Sequence, residues 1–302
     1  MSHSAPATRG SIALVVNPTA GRGRARRVLP TVADALRASL PASALRIVEA
    51  LDAEHAEASC REAVAEADAL LVMGGDGMAH LGLNACAETT VPLGVLPAGT
   101  GNDLCRGLGL PLRIRDAVAA LARGTTRSVD LARVTRPDGT RRWVGCVVST
   151  GFDSRVALRT ARMRISLGPI AYAVSALAEL RTFSPLRYRL TVDGVHRELD
   201  SMAIFVANAE FFGGGMRAAP GADVGDGLLD VTVIHPVPQT TLLRLLPSLY
   251  TGGFVTHPAI ERFRASEVVV DGDGLIGSGD GETLGDVPLT VTAVAEALHV
   301  LG

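Results

Sequence analysis

Two short glycine stretches carry the carboxylates best suited to chemistry: Asp76 within Gly74-Gly75-Asp76-Gly77, and Asp103 closing Gly99-Thr100-Gly101-Asn102-Asp103. Glycine clears room for backbone N–H groups to approach a phosphate, while a carboxylate can hold Mg²⁺ or take a hydroxyl proton. A plain turn uses the same residue types, so one GGDG alone leaves the two readings level. A second such loop, bearing Thr100, Asn102 and Asp103 after a neighbouring apolar run, favours a site for metal and nucleotide. A third loop, Asn17-Pro18-Thr19-Ala20-Gly21 continuing to Gly23, adds amide donors at a helix N-terminus. It does not complete a dinucleotide fingerprint, because Arg26 stands where a third glycine would be needed.

Each loop must be positioned by a strand. Ser11–Val16 is apolar and breaks at Asn17-Pro18; Leu45–Val48 reads as a second strand, 53–67 as a helix and 69–73 as a third strand. A helix near 78–87, a strand over 92–96 and a further helix after Asp103 continue the alternation. This is an α/β pattern, predicting a doubly wound parallel sheet whose loops gather at its carboxyl edge. After about Val129 the texture becomes alternating, as in Arg187–Val192 and Leu228–Ile234, and predicts a mostly antiparallel β-rich domain. The expected division is residues 1–129 with 289–302 returning to them, and residues 130–288. Apolar helices are expected at 170–180 and 240–250.

A chain of 302 residues with 47% hydrophobic content suffices for two such cores. All 29 basic residues are arginine, so neither a Walker lysine nor a protein-kinase strand lysine is available. Any phosphate must be held by amides, arginine or metal. A net charge of -2 without a basic run argues against nucleic acid as a partner. Four scattered cysteines suit a reduced, cytoplasmic setting. No apolar run reaches bilayer length, which predicts at most peripheral contact with the inner face of a membrane.

Asn17-Pro18 with its glycine loop, Gly74–Gly77 and Pro92-Leu93-Gly94 through Asp103 resemble, in order and spacing, the diacylglycerol kinase catalytic family. The likeness continues through Gly151-Phe152-Asp153, Gly213–Met216, Pro220–Asp230 and Asp280-Gly281-Glu282, almost the whole chain. It implies an ATP-dependent lipid kinase acting on diacylglycerol or another lipid hydroxyl at a membrane surface, with Mg²⁺. Nucleotide contacts would fall on Asn17, Pro18, Thr19, Ala20, Gly21, Gly74, Gly75, Asp76, Gly77, Met78, His80, Gly99, Thr100, Asn102 and Asp103. Glu282 would be the general base, with Asp76 beside it in catalysis, although Asp-Gly before a glutamate is also a common hairpin turn. Asp223, Asp226 and Leu228 would hold a structural Mg²⁺, against the plain alternative of a solvated acidic turn. A homodimer is a possible assembly, and the sequence leaves the oligomeric state open.

Several positions depart from the family pattern. Met78 and His80 stand where relatives carry threonine and an Asn-Glu pair, and Ala50-Leu51 where a threonine meets nucleotide. His80 either replaces a polar contact or is a helix-surface histidine. Phe211, Phe212, Phe254 and the apolar helices either line an acyl-chain groove or pack a core, and Arg159, Arg162 and Arg164 either meet anionic headgroups or form a solvated face. Two other functions compete: an NAD kinase-like enzyme, which shares the GGDG loop, and a catalytically silent nucleotide- or lipid-binding regulator.

Overall fold

The computed structural model describes residues 10–41, 43–152, 154–156 and 184–302. The helix expected at 170–180, Arg159, Arg162, Arg164 and Asp153 lie outside them. The chain divides into two compact units. The first reaches Asp130 and takes back Ala295–Gly302; the second is Leu131–Val294.

The first unit alternates strictly: β1 Ser11–Val16, α1 Ala20–Ser39, β2 Ala44–Glu49, α2 Ala53–Glu66, β3 Ala69–Gly74, α3 Asp76–Cys86, β4 Leu93–Pro97, α4 Asp103–Gly107, α5 Ile114–Arg123, and β5 Thr126–Thr135, which leads out of it. Its strands run parallel in the order β2-β1-β3-β4. Successive residues of β1 and β3 face opposite sides and nearly all are buried, so both faces must be covered. Ile12, Leu14, Leu71 and Met73 pack with α1 and α5. On the other face α3 lies so close that a Cβ on Gly82 would meet Val72 Cγ1 at 2.7 Å and Leu93 Cδ1 at 2.9 Å. The order reverses direction between β1 and β3, and there the loops after both strands open outward, where ligands bind in such sheets.

The second unit holds β6 Arg141–Val144, β7 Val147–Gly151, β8 Leu186–Val192, β9 Val195–Ser201, β10 Ala203–Ala207, β11 Phe211–Phe212, β12 Met216–Arg217 and β13 Leu229–Ile234. There follow α6 Gln239–Leu245, β14 Ile260–Ala265, β15 Glu267–Asp271, β16 Ile276–Gly279, β17 Glu282–Asp286 and β18 Leu289–Leu301. One antiparallel sheet runs β14-β13-β10-β7-β16-β17, and a second layer pairs the start of β18 with β15, β8 and β9. Ile204, Val206 and Val231 of the first pack against Tyr188, Val268 and Val291 of the second. The helix expected over 240–250 is α6 followed by a 3-10 turn at Leu246–Leu249, because Pro247 has no N–H to continue the helical ladder. The last strand runs 13 residues, Leu289–Leu301. Val300 pairs with Leu93, so β18 closes the first unit's sheet with its far end.

Burying a Val, Leu or Ile side chain contributes about 1.5–3 kcal/mol, against about 0–1 kcal/mol for an exposed ion pair. The apolar cores therefore set the stability, and polar networks tune it. Arg197 on β9 holds Glu261 on β14 through two bonds of 2.9 and 3.0 Å, and His235 adds a third contact at 3.0 Å. The Arg197 hydrogen bonds keep the Glu261 carboxyl below its ordinary 4.5. A lowered folded value contributes stability above pH 4.5 and loses it as pH falls through that folded value. The Tm deficit of Arg197→Ala relative to the native protein is thus expected to be largest above pH 4.5 and to close on acidification. A deficit that widens in acid, read by differential scanning fluorimetry across pH, would sink the assignment.

Candidate active site

Three loops meet at the carboxyl edge of the first unit, and their contacts tolerate no side chain. Gly21 has φ +60°, and a Cβ there would lie 2.3 Å from the carbonyl oxygen of Ala98. A Cβ on Gly99 would lie 2.4 Å from Gly75 Cα. The first loop thus touches the third, and the third touches the second, backbone against backbone. Within the first, Asn17 Oδ1 accepts from the Thr19 N–H at 3.0 Å and the Thr19 hydroxyl at 2.8 Å. Its own N–H donates to Met73 O at 2.9 Å, fastening the loop to the end of β3. Gly21, Arg22 and Gly23 then run consecutively left-handed before α1 becomes regular. Arg22 is the costly member of that run, since a side chain there strains the backbone.

Asp76 is the clasp of this edge. It opens α3, where a carboxylate also suits the helix dipole. Its Oδ2 accepts the Asn102 N–H at 2.8 Å and its Oδ1 the Asp103 N–H at 2.5 Å. Asn102 is itself left-handed (φ 56°) and donates its side-chain amide to Gly99 O at 3.1 Å. Asp103 opens α4 and is buried, with Arg106 Nε 4.0 Å from its carboxylate and 3.2 Å from Gly101 O. Arg106 is a cation at the loop that the sequence reading passed over. Its signal was present in Asp103-Leu104-Cys105-Arg106, one helical turn from the acid.

The departing positions of α3 point inward. Met78 is buried, and its Cβ fills the space over Gly74, where any added Cβ would approach within 2.5 Å. His80 is also buried, at 8% exposure, with Asn84 Nδ2 3.2 Å from its Nε2, so it is not the helix-surface histidine that was one alternative. Ala50 is buried while Leu51 is 87% exposed. Burial pushes the Cys60, Cys86 and Cys105 thiols up to about 12, so none supplies a thiolate nucleophile.

In the second unit Asp280 (φ 51°) and Gly281 (φ 88°) form a tight two-residue turn between β16 and β17, and Glu282, paired with Gly279, follows it exposed. The hairpin is real, and it is also anchored. Asp280 accepts the Gly145 N–H at 2.7 Å and the Cys146 N–H at 2.9 Å. Both units therefore pin a chemistry-bearing loop with one aspartate over two successive amides.

The expected Mg²⁺ loop is occupied by its own chain. Asp223 Oδ1 accepts the Gly225 N–H at 3.1 Å, and Asp226 Oδ1 accepts the Leu228 N–H at 3.0 Å. The other Asp226 oxygen is held by the Arg264 guanidinium. Arg264 thus competes with any ion for Asp226, while the loop's backbone carbonyls remain as further oxygen donors. Asp271 and Asp273 bind Arg189 at 2.9 and 3.1 Å and are structural.

Comparison with known proteins bears on this geometry. Residues 11–134 match a family described as diacylglycerol kinase catalytic domain, and residues 146–302 one described as the YegS C-terminal NAD kinase beta sandwich-like domain. A Mycobacterium tuberculosis (strain H37Rv) protein named "Diacylglycerol kinase" is 37% identical over 297 residues, covering 97% of this chain and 95% of the relative. A Stenotrophomonas maltophilia protein named "Probable lipid kinase YegS-like" is 34% identical over 65% of this chain and 64% of its own length. A Bacillus anthracis crystal structure described as that of a diacylglycerol kinase shares the fold, superposing with TM-score 0.74 over 98% and 97% of the two chains at 20% identity.

Two outcomes test the site. Asp76→Asn leaves one carbonyl oxygen for two amides. Charged hydrogen bonds are worth about 1.5–3 kcal/mol, so calorimetry should show a loss of that order together with a raised KM for ATP. An unchanged Tm and KM would remove Asp76 as the clasp. Added Mg²⁺ should shift the Tm of the nucleotide-free native protein and of Asp226→Ala alike, because an ion at Asp226 must first displace Arg264; a rise that is lost in Asp226→Ala would reinstate the ion at this loop.

Proposed function

We propose that this chain, which belongs to the diacylglycerol kinase catalytic family and is an ATP-dependent lipid kinase, transfers the γ-phosphoryl group of ATP to the free hydroxyl of diacylglycerol. The observation that carries the reading is the convergence of three glycine loops at the point where the strand order reverses, in a chain whose 37% identical relative is named for that reaction.

Phosphoryl transfer needs positioning and charge neutralisation more than covalent chemistry. The amides of Gly74–Gly77 and Thr100 and the first-loop residues Asn17–Gly21 suit the phosphates, with Arg106 as the nearby cation. The nucleotide arrives as its Mg²⁺ complex. Mg²⁺ commonly keeps several waters, one or two carboxylates and phosphate oxygens, and the adjacent hard donors Asp76 and Asp103 fit that demand. Bound there, the ion would neutralise phosphate charge. Amide acceptance does not exhaust Asp76, since each carboxylate oxygen has two lone pairs.

Glu282 takes the acceptor's hydroxyl proton. The hydroxyl oxygen forms a new bond to the γ-phosphorus, the bond from that phosphorus to the β,γ-bridging oxygen breaks, and ADP leaves with that electron pair. No helix among the described residues is long and apolar enough to cross a membrane. The lipid acceptor is met at the membrane surface by peripheral contact. The NAD kinase-like reading draws on the description matched by the second half, and it differs in its acceptor alone.

With γ-labelled ATP and Mg²⁺, label is expected in diacylglycerol presented in mixed micelles, with NAD as the soluble control. Glu282→Gln should lower kcat about 10²- to 10⁴-fold, the usual worth of a general base, with little change in KM for ATP. Label in NAD alone would transfer the chain to the other reading. Label in no acceptor would leave a nucleotide- or lipid-binding regulator, and full activity of Glu282→Gln would remove the base.

A further inference from the structure

The bend at Gly145-Cys146 carries the chain from β6, which pairs with β5, into β7 near the centre of the six-stranded sheet. Both residues are buried and neither lies in a strand, so their four backbone polar groups must find partners outside a ladder. The two N–H groups go to Asp280, at 2.7 Å from Gly145 and 2.9 Å from Cys146. The two carbonyls are met from elsewhere. Gly145 O accepts from the Asn208 side-chain amide at 2.9 Å, and Cys146 O accepts from the N–H groups of Asn208 and Ala209 at 2.8 and 3.1 Å.

The sheet explains why these residues converge. β7 runs between β10 and β16, with Ala207 opposite Val147 and Gly279 opposite Val148. Asn208 is the first residue after β10 and Asp280 the first after β16, so they reach the bend from opposite flanks of β7. Asn208 is only 1% exposed, unusual for a residue type found mostly at surfaces. A carbonyl oxygen can only accept, so it is the NH2 of Asn208 that faces Gly145 O. An apolar side chain of similar size would fill the same space and leave that carbonyl unheld. The bonds form one line, from Asn208 to the bend, from the bend to Asp280, and two residues along the turn to Glu282.

We propose that Asn208 is a positioning residue for Glu282: by holding Gly145 O it fixes the bend whose amides clamp Asp280, and thereby the turn that aims the glutamate. The inference rests on the reading of Glu282 as the base; the line of hydrogen bonds from Asn208 to Asp280 does not. Its effect belongs to proton transfer. The loops assigned to nucleotide lie in the first unit, so nucleotide affinity is expected to survive the loss of Asn208.

Asn208→Leu keeps the side chain's size and removes its donor. It should lower kcat about 10- to 100-fold, the scale of a misplacement near 1 Å, and leave KM for ATP within about twofold. A bond that merely completed the fold would matter equally with or without a working base, so a double-mutant cycle decides between the two roles. In Glu282→Gln the same substitution should lower kcat by less than about threefold, since no base remains to be misplaced. An equal fall in both backgrounds shows a purely structural role and overturns the proposal. Hydrogen exchange of the nucleotide-free protein gives a readout without activity. In Asn208→Leu the amides of 145–146 and 280–282 should exchange faster while those of β8 keep their rates; unchanged exchange at 280–282 overturns the proposal. Should Asn208→Leu fail to fold, Asn208→Ala carries the same comparisons. Full activity of Glu282→Gln, with faster exchange at 280–282 in the Asn208 variant, removes the base and keeps Asn208 as the anchor of the turn. A loss in Glu282→Gln with native kcat in the Asn208 variant keeps the base and removes Asn208 from its support.

Discussion

The first unit's site depends on the Asp76 carboxylate lying over two successive amides, those of Asn102 and Asp103. The loops after β3 and β4 approach so closely that glycine is required at Gly99 and, against Ala98, at Gly21. Such contact removes side chains that would otherwise fill the space, so Asp76 holds the third loop through its backbone. It satisfies two N–H groups that α4 leaves without helical partners and places a negative charge at the starts of α3 and α4, where the helix dipoles favour it. Remove that charge and the glycine contacts lose the restraint that makes them a cradle rather than a mobile loop.

The second unit repeats the device with Asp280 on Gly145 and Cys146. A strained, left-handed aspartate costs conformational energy, and two charge-assisted amide bonds offset it. The consequence for Glu282 is orientation. A glutamate beginning an edge strand after a two-residue turn would ordinarily sweep a wide volume, but here the turn's first residue is fixed to the neighbouring loop. The two aspartates hold backbone, while the groups proposed to act on substrate, Glu282 and Asp103, sit one or two residues beyond a fixed point.

What the chain disclosed in advance follows from range. Period-2 and helical alternation, together with Gly and Pro breaks, act over a few residues, and β1, β3, β4 and all three loops were legible from them. Asp76 as a loop residue was legible; its partners, 26 and 27 positions away, were not, because nothing local marks an aspartate as an amide acceptor. The same holds for Asp226, whose Arg264 is 38 positions distant and was hidden behind a resemblance that implied an ion. His80 was open between a polar contact and a helix-surface histidine, and its burial beside Asn84 is decided by how α3 lies on the sheet. The length of β18 was illegible for a further reason: Glu296 has a left-handed backbone (φ 51°) that interrupts the alternation, and its N–H is taken by Asp130 at 2.8 Å.

The proposed phosphate site, having no lysine, would place its specificity in backbone geometry. Amide donors are the same whatever side chain they carry, so Met78 and His80 can depart from the family pattern while the path of Gly74–Gly77 persists. The same logic forbids change at Gly21 and Gly99, where one methyl group would meet backbone at 2.3 and 2.4 Å, and backbone cannot swing aside as a side-chain tip can. Side-chain charge then enters at few points, Asp76, Asp103 and Arg106, each at or within one turn of a helix start. Steric intolerance at these glycines is what a cradle made from main chain requires.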